Sequence, residues 1–320
     1  MIPRSLGLTS LAACLALLWP APLFAQKPSA QPPAASRQHI ASYPTRQNPD
    51  DLEIGGDLAG LPAGSTRFVT YADLLKLPQV TATVTGDENF TGPVQVSGVL
   101  LEKLPALLGA APDARMITAI CDDLYNAHYP AAYLSAHHPI LVLRINGFDH
   151  AHWPLGVDKV PMGPYMISHA SFHPAFKVLS HEEEPQVPWG VLRLDLRREP
   201  DVYRPILPLG PHAQEETVQQ GYTIARENCF RCHANRGEGG TKSTFGWDTL
   251  SRMAIRRPDW FAQYVRDPKS INPKTNMAAA PQYDDATMAA LRAYYATFTA
   301  TAAPAMSPAP ATQSPATSGK

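Results

Sequence analysis

The chain of 320 residues contains little charge and few of the patterns that mark nucleotide or nucleic acid binding. Only 17 % of its residues are charged, and its formal net charge is −1 at pH 7. A chain this close to neutral lacks the basic surface that phosphate backbones require, so we expect no nucleic acid partner. It contains no internal repeat and no glycine-rich phosphate loop. Since 44 % of the residues are hydrophobic, the length suffices for two domains with separate cores.

Cysteine is also scarce, and its four positions limit how the fold is stabilised. Cys14 lies in an N-terminal segment that we expect to be removed, while Cys229 and Cys232 belong to one short motif. Only Cys121 then remains, so the mature monomer has no structural disulfide and its fold must depend on packing. A single buried cysteine usually behaves as a small hydrophobic residue, and we interpret Cys121 in this way.

Residues 1–25 have the pattern of an export signal. Arg4 provides a positive start, an apolar run extends to Trp19, and Ala25 precedes the expected cleavage point. The run is too short for a membrane span, so we predict a soluble periplasmic protein. Cys14 offers a rival interpretation as a lipoprotein start, although an apolar stretch follows it in place of a polar tether. Membrane association is therefore expected only if Cys14 is lipidated.

The C-terminal half contains the motif Cys229-Phe230-Arg231-Cys232-His233. Two cysteines three residues apart, followed by histidine, predict covalent attachment of one haem c, because one helical turn brings both thiols and the imidazole to the same side. A zinc half-site and a dithiol redox pair are the alternatives. No second cysteine pair follows, and no thioredoxin-like βαβ pattern surrounds the motif, so haem is favoured over both.

A haem iron bound by His233 needs a sixth ligand for electron transfer, and a methionine thioether raises its reduction potential. Four methionines follow the motif: Met253, Met277, Met288 and Met306. Met288 fits an apolar helical pattern, and Met306 lies in a Pro/Ala-rich tail. Met253 comes only twenty residues after His233. Met277 ends a loop stiffened by two prolines, and we predict that it is the axial ligand.

These residues resemble the class I cytochromes c over residues 213–300. The segment 219–228 is similar to the first helix of that family, in which a glycine and an aromatic residue cross the last helix, here residues 284–298. Residues 258–266 are similar to the third helix, ahead of the methionine loop. The family often provides a proline carbonyl for the histidine N–H, whereas residues 237–240 offer only glycine carbonyls around Glu238. The resemblance implies an all-α cytochrome c domain that passes single electrons.

The preceding residues 65–199 read as a mixed α+β domain. Helical patterns are predicted at 71–77 and 100–108, and strands at 79–85, 116–120, 140–145 and 191–196. Residues 26–64 and 301–320, rich in Pro, Ala, Ser and Thr over much of their length, are predicted to be disordered, and residues 200–212 to be a proline-rich linker. The predicted fold is therefore an α+β domain followed by an all-α domain.

This α+β segment resembles, more loosely, the molybdopterin-binding fold of the sulfite oxidase family. The similarity rests on the stretches 70–79, 96–104, 122–125, 162–167 and 188–191. The family's metal-binding cysteine precedes the element Gly98-Val99-Leu100, where this chain has Thr85 and no thiol. Cys121 comes after that element. The resemblance therefore makes molybdopterin a disfavoured cofactor, and we expect no molybdenum.

The same segment is rich in histidine, the commonest ligand for zinc, copper and iron. The histidines between Cys121 and Glu184 are His128, His137, His138, His150, His152, His169, His173 and His181. Nothing in the sequence brings three of them together, so hydrogen-bonded roles are favoured over a metal site, and no catalytic residue is assigned.

The function that the sequence favours is a periplasmic monohaem cytochrome that exchanges electrons with a partner protein, either a dehydrogenase or a terminal acceptor. Its N-terminal segment would then be a docking or binding module. The alternative is a sulfite-type dehydrogenase, with molybdopterin or another metal, that reduces its own fused haem. Whether the protein is an enzyme thus stays open at the level of sequence.

Overall fold

The computed structural model describes residues 39–157 and 159–299. The predicted signal peptide with Cys14, residues 26–38, Met306 and the tail 301–320 lie outside these residues. The strands are β1 (Leu52–Gly56), β2 (Arg67–Val69), β3 (Val80–Val84), β4 (Val94–Leu100), β5 (Met116–Cys121), β6 (Asn126–Tyr129), β7 (Ile140–Ile145), β8 (Met166–Ser168), β9 (Lys177–Val178), β10 (His181–Glu182) and β11 (Val191–Arg197).

The helices alternate with these strands at first and then follow one another without interruption. They are α1 (Tyr71–Leu74), α2 (Leu104–Leu107), α3 (Ala131–His137), α4 (Glu199–Tyr203), α5 (Glu216–Glu227), α6 (Trp247–Arg256), α7 (Pro258–Arg266), α8 (Pro268–Ile271) and α9 (Asp285–Thr299). Among the described residues, none of these helices has the length and apolar character that a membrane crossing requires.

The strands form three sheets. The largest has the order β2-β1-β11-β5-β6, the second has the order β3-β4-β7-β8, and β9 and β10 form a short hairpin. In the largest sheet β11 pairs in parallel with β1 and antiparallel with β5. Alternation in β11 places Leu194 and Leu196 in the hydrophobic core with Ile117, so each of these side chains is fully buried.

Most elements predicted from the residue pattern are present. The strand predicted at 140–145 is β7, the strand at 191–196 is β11 with one further residue, and the helix at 258–266 is α7. One assignment is wrong, because residues 26–64 were predicted to be disordered and yet contain β1. Leu52 and Ile54 of β1 are fully buried between β2 and β11, so their apolar side chains stabilise order despite the polar sequence before them.

Helices α5 and α9 cross at a glycine, a feature that the resemblance to the class I cytochromes c implied. A Cβ atom at Gly221 would lie 2.0 Å from the carbonyl oxygen of Ala290, so only glycine permits this approach. Beside the crossing, the rings of Tyr222 and Tyr294 lie 5.8 Å apart. The crossing fixes the end of α5, and the cysteine motif begins directly after that end.

The predicted division into an α+β domain and a following all-α cytochrome c domain is wrong. The described residues form one compact mixed α+β unit with several sheets. The C-terminal helices share a single hydrophobic cluster with Met116 of β5 and with Val202, Tyr203 and Ile206. The last three belong to residues 200–212, which were predicted to be a linker but contain α4 and pack into the core. Apolar contacts across this junction leave no clearly separate all-α domain.

Candidate functional site

The motif adopts the helical turn that its spacing predicts. A 3₁₀ turn, Cys229–Arg231, follows α5 directly, and the amides of Cys232 and His233 both donate to the Cys229 carbonyl at 3.1 and 3.0 Å. Phe230 anchors the turn because its side chain is fully buried. Its ring stacks on His128 at 5.1 Å and meets Trp247 edge-on at 5.7 Å. Both thiols and the imidazole therefore belong to one rigidly packed turn.

The glycine-rich loop after the motif supports its backbone. The Gly240 amide donates to the Phe230 carbonyl at 3.0 Å. A Cβ atom at Gly240 would lie 1.8 Å from the Arg231 carbonyl oxygen, and one at Gly239 would lie 2.5 Å from the Phe230 ring. Glycine is required here because the loop lies directly against the turn. The sequence suggested glycine carbonyls as partners for His233, but this loop contacts the motif through an amide.

The carbonyl that orients His233 belongs to Phe245. The His233 Nδ1 atom lies 2.6 Å from the Phe245 oxygen, so Nδ1 carries the proton and donates it. Burial lowers the pKa of His233, with a smaller opposing effect of that hydrogen bond, and the side chain is neutral at pH 7. A neutral imidazole whose Nδ1–H is held by a carbonyl presents an unprotonated Nε2, which is the form that binds a metal. Sequence gave no signal for Phe245, since any residue provides a carbonyl.

The two thiols are free, partly buried and protonated. Burial raises the pKa of Cys229 to about 11, against a smaller opposing effect of the Tyr295 hydroxyl. Burial also raises the pKa of Cys232, and Lys242 opposes this shift. Reactive dithiol pairs depend on a lowered thiol pKa, so this environment disfavours the redox-pair alternative. Among the described residues no group of three or more histidine, cysteine or acidic side chains is placed to hold a metal ion, so nothing completes a zinc half-site.

Met277 lies in the loop between α8 and α9 and is partly buried. Its amide donates to the Thr275 hydroxyl at 3.2 Å, and the same hydroxyl accepts from Tyr264 at 3.2 Å. Met277 packs against the hydrophobic cluster that also contacts Cys229 and Met253. Met288 is buried within that cluster on α9, as its helical pattern predicts. The structure thus places both Met277 and Met253 beside the cluster that holds the motif.

Cys121 is a core residue of β5. It is 3 % exposed, and burial raises the pKa of its thiol well above the usual value, with Asp123 adding to the shift. A thiol held protonated in this way is chemically inert. Its burial fits the small hydrophobic role expected from the sequence.

Most histidines of residues 121–184 form pairs with other side chains. His137 Nε2 lies 3.1 Å from Glu183 Oε2, and His169 Nε2 lies 3.0 Å from the Tyr133 hydroxyl, with all four side chains buried. His150 and His152 pair with the aspartates Asp50 and Asp149. These contacts fit the hydrogen-bonding interpretation.

One histidine connects the sheets to the cysteine motif. Asn228, directly before Cys229, donates from Nδ2 to the Tyr283 hydroxyl at 2.8 Å. That hydroxyl lies 2.8 Å from Nδ1 of His181, which is completely buried. Sequence analysis missed this connection, because the three residues are far apart along the chain and no local pattern joins them.

Comparison with known protein families gives no match, and comparison with curated proteins gives none either. Neither therefore identifies a cytochrome c domain. Among solved structures, the chain is similar to the sulfane dehydrogenase SoxCD from Paracoccus pantotrophus, with 17 % sequence identity and a TM-score of 0.33. The aligned region covers 53 % of this chain and 44 % of that chain, so this chain spans less than half of the relative's length. A structural similarity this weak gives no basis for an argument about function.

Proposed function

We propose that the protein is an exported electron carrier with one haem c bound through thioethers to Cys229 and Cys232. His233 is the first iron ligand and Met277 the second. The observation that supports this proposal is the hydrogen bond from His233 Nδ1 to the Phe245 carbonyl. Burial keeps the imidazole neutral, and this hydrogen bond fixes its proton on Nδ1 and leaves Nε2 unprotonated, in the same turn as two unpaired thiols. That donor set fits covalent haem better than zinc or a disulfide.

The residues of the motif and those packed against it have three roles, which are attachment of the haem, ligation of its iron and exclusion of water. When bound, the haem supplies one-electron chemistry at its iron. The thiols hold it in place, the Phe245 carbonyl orients His233, and the buried Phe230 and Trp247 exclude water from the motif. Electrons would pass to or from a partner protein in the periplasm, either a dehydrogenase or a terminal acceptor.

Replacing one thiol tests the attachment. We expect the wild-type protein to retain haem stain on a denaturing gel, and Cys232→Ala to lose most of it, because one thioether holds the group less securely than two. Cys121→Ser is the matched control, since it removes a thiol outside the motif and should stain as the wild type does. Stain in Cys232→Ala equal to that of the wild type would contradict attachment through both thiols.

The second candidate is a dehydrogenase that reduces its own haem. The name of the sulfane dehydrogenase agrees with this class, but its TM-score is too low to support an argument. The distinguishing property is substrate-dependent reduction: an enzyme would reduce its haem with a small substrate alone, whereas an electron carrier would need a partner protein.

Metal content separates the two candidates further. We expect protein produced with an intact molybdenum cofactor pathway to contain iron without molybdenum, because the segment before Gly98 lacks a thiol and the Cys121 thiol is held protonated by burial. Elemental analysis of the purified protein measures both metals. Molybdenum at near one equivalent, lost in Cys121→Ser, would favour the dehydrogenase instead.

A further inference from the structure

A buried arginine lies between the two cysteines of the motif. Arg231 is only 7 % exposed. A buried charge is costly unless it is paired, and the carboxylate that reaches it is Glu184, whose Oε2 lies 3.8 Å from Nη1. That distance is too long for a hydrogen bond. A second acidic residue, Glu227, is already paired with Arg226 at 3.0 Å. The charge of Arg231 is therefore incompletely balanced.

On one edge of the Arg231 guanidinium two nitrogens lack hydrogen-bond geometry to any described residue, while the Tyr125 hydroxyl lies beside the group, whose charge opposes the rise in the pKa of Tyr125 that burial causes. These two nitrogens are Nε and Nη2, and both are buried. These two N–H groups lie on the same side of the planar group and form a fork that matches two oxygens of one carboxylate or oxoanion. Glu184 faces the other nitrogen, Nη1, so it does not fill this fork.

A second buried donor without a hydrogen-bond partner is the imidazole of His181, which Tyr283 links to Asn228, three residues before Arg231. The Tyr283 hydroxyl accepts from Asn228 and therefore donates its own proton to Nδ1 of His181. The imidazole proton of His181 then resides on Nε2, which is buried and has no partner among residues 39–157 and 159–299. Burial lowers the pKa of His181 to about 4, and the charge of Arg231 adds to this effect, so His181 is neutral and its one imidazole proton is on Nε2.

One carboxyl group that interacts with Arg231, that of Glu88, has a reduced tendency to ionise. Burial raises the pKa of Glu88, and Asp87 and Glu184 add to that shift while Arg231 opposes it. A raised carboxyl pKa favours the neutral form, so Glu88 competes weakly with an added anion.

We propose that Arg231 and His181 form a buried binding site for an oxyanion. The fork of Arg231 binds two oxygens of one carboxylate or tetrahedral oxoanion, and His181 provides a second donor. Such an anion is a free oxoanion such as sulfate or phosphate, because the propionates of the haem proposed above would lie on the porphyrin edge opposite the two thioethers. The proposal therefore stands without haem.

Calorimetric titration of the purified full-length protein tests the proposal. Sulfate and phosphate are added at constant ionic strength, balanced with chloride. We expect saturable binding that weakens at least about tenfold in Arg231→Met, because two charge-assisted hydrogen bonds are lost. Arg231→Lys keeps the charge without the fork and should bind with intermediate strength. The control is Arg252→Met, which removes an exposed arginine of α6 and should bind as the wild type does.

The same titration can contradict the proposal in two ways. The proposal is overturned if the wild type binds neither sulfate nor phosphate saturably, or if binding is unchanged in Arg231→Met. If Arg231→Met does not fold, the wild type and Arg231→Lys decide by the same criteria. Saturable sulfate binding by protein without haem stain would support this site and remove the proposed function.

Discussion

Met277→Ala is expected to abolish the sulfur-to-iron absorption band of the purified protein and to lower its reduction potential. A thioether ligand stabilises the ferrous state, so its loss shifts the potential downward. We expect a fall on the order of 100 mV or more, within the roughly 0.8 V range that axial ligands control. Absorption spectroscopy and a redox titration measure the two effects. The loop position supports this expectation, because the Tyr264–Thr275 hydrogen bonds fix the backbone next to Met277.

Met253→Ala is the matched comparison for this experiment. Met253 contacts the same hydrophobic cluster from α6, so its replacement removes a similar amount of packing without removing the proposed ligand. A band that survives in Met277→Ala and disappears in Met253→Ala would identify Met253 as the ligand. Met288→Leu should leave the band unchanged and affect only stability, because Met288 is buried in the core.

Sequence reasoning succeeded where local patterns determine the structure. Strand β11 was located because its apolar and polar residues alternate within a few positions, whereas helix α7 was expected from the resemblance to the class I cytochromes c. The turn at Cys229 was foreseen because the residues that decide it are neighbours in sequence. The crossing at Gly221 was expected from the resemblance to the class I cytochromes c, since its partner Ala290 is far away in the chain.

Sequence reasoning failed where residues far apart in the chain determine the structure. Strand β1 is ordered because β2 and β11 bury it, although the chain before it has the composition of a disordered segment. The proline-rich residues 200–212 were predicted to be a linker, yet Val202 and Ile206 pack against the C-terminal helices. Composition indicates how a segment behaves alone and cannot report which apolar surface will cover it. The Phe245 carbonyl and the buried Arg231 were missed for the same reason.

The stability of the protein is expected to fall steeply as the pH decreases below about 6.5, the pKa of histidine in an unfolded chain. Besides the proposed iron ligand His233, three buried histidines keep lowered pKa values in the folded protein. Burial, with a smaller effect of Arg231, lowers the pKa of His128 to about 3 and that of His181 to about 4. Burial, with a smaller effect of His137, lowers that of His169 to about 3.

The direction follows from proton binding. Between about pH 6.5 and about pH 4 the unfolded chain binds three protons that the folded protein excludes, so acid favours unfolding. Each histidine contributes about 1.4 kcal/mol per pH unit, or about 4 kcal/mol for the three. Domains of this kind are stable by about 5–15 kcal/mol, so we expect acid unfolding between about pH 6 and about pH 4.

Urea unfolding at about pH 7.5, about pH 6 and about pH 5 measures this dependence. His181→Asn should reduce the slope by about one third, because its amide does not titrate and offers an oxygen to accept the Tyr283 hydroxyl. His212→Gln, at an exposed position before α5, is the control and should leave the slope unchanged. Equal free energies of unfolding at all three pH values would show that these histidines accept protons within the folded protein. The tight packing of His128 against Phe230 and the complete burial of His181 argue against that outcome.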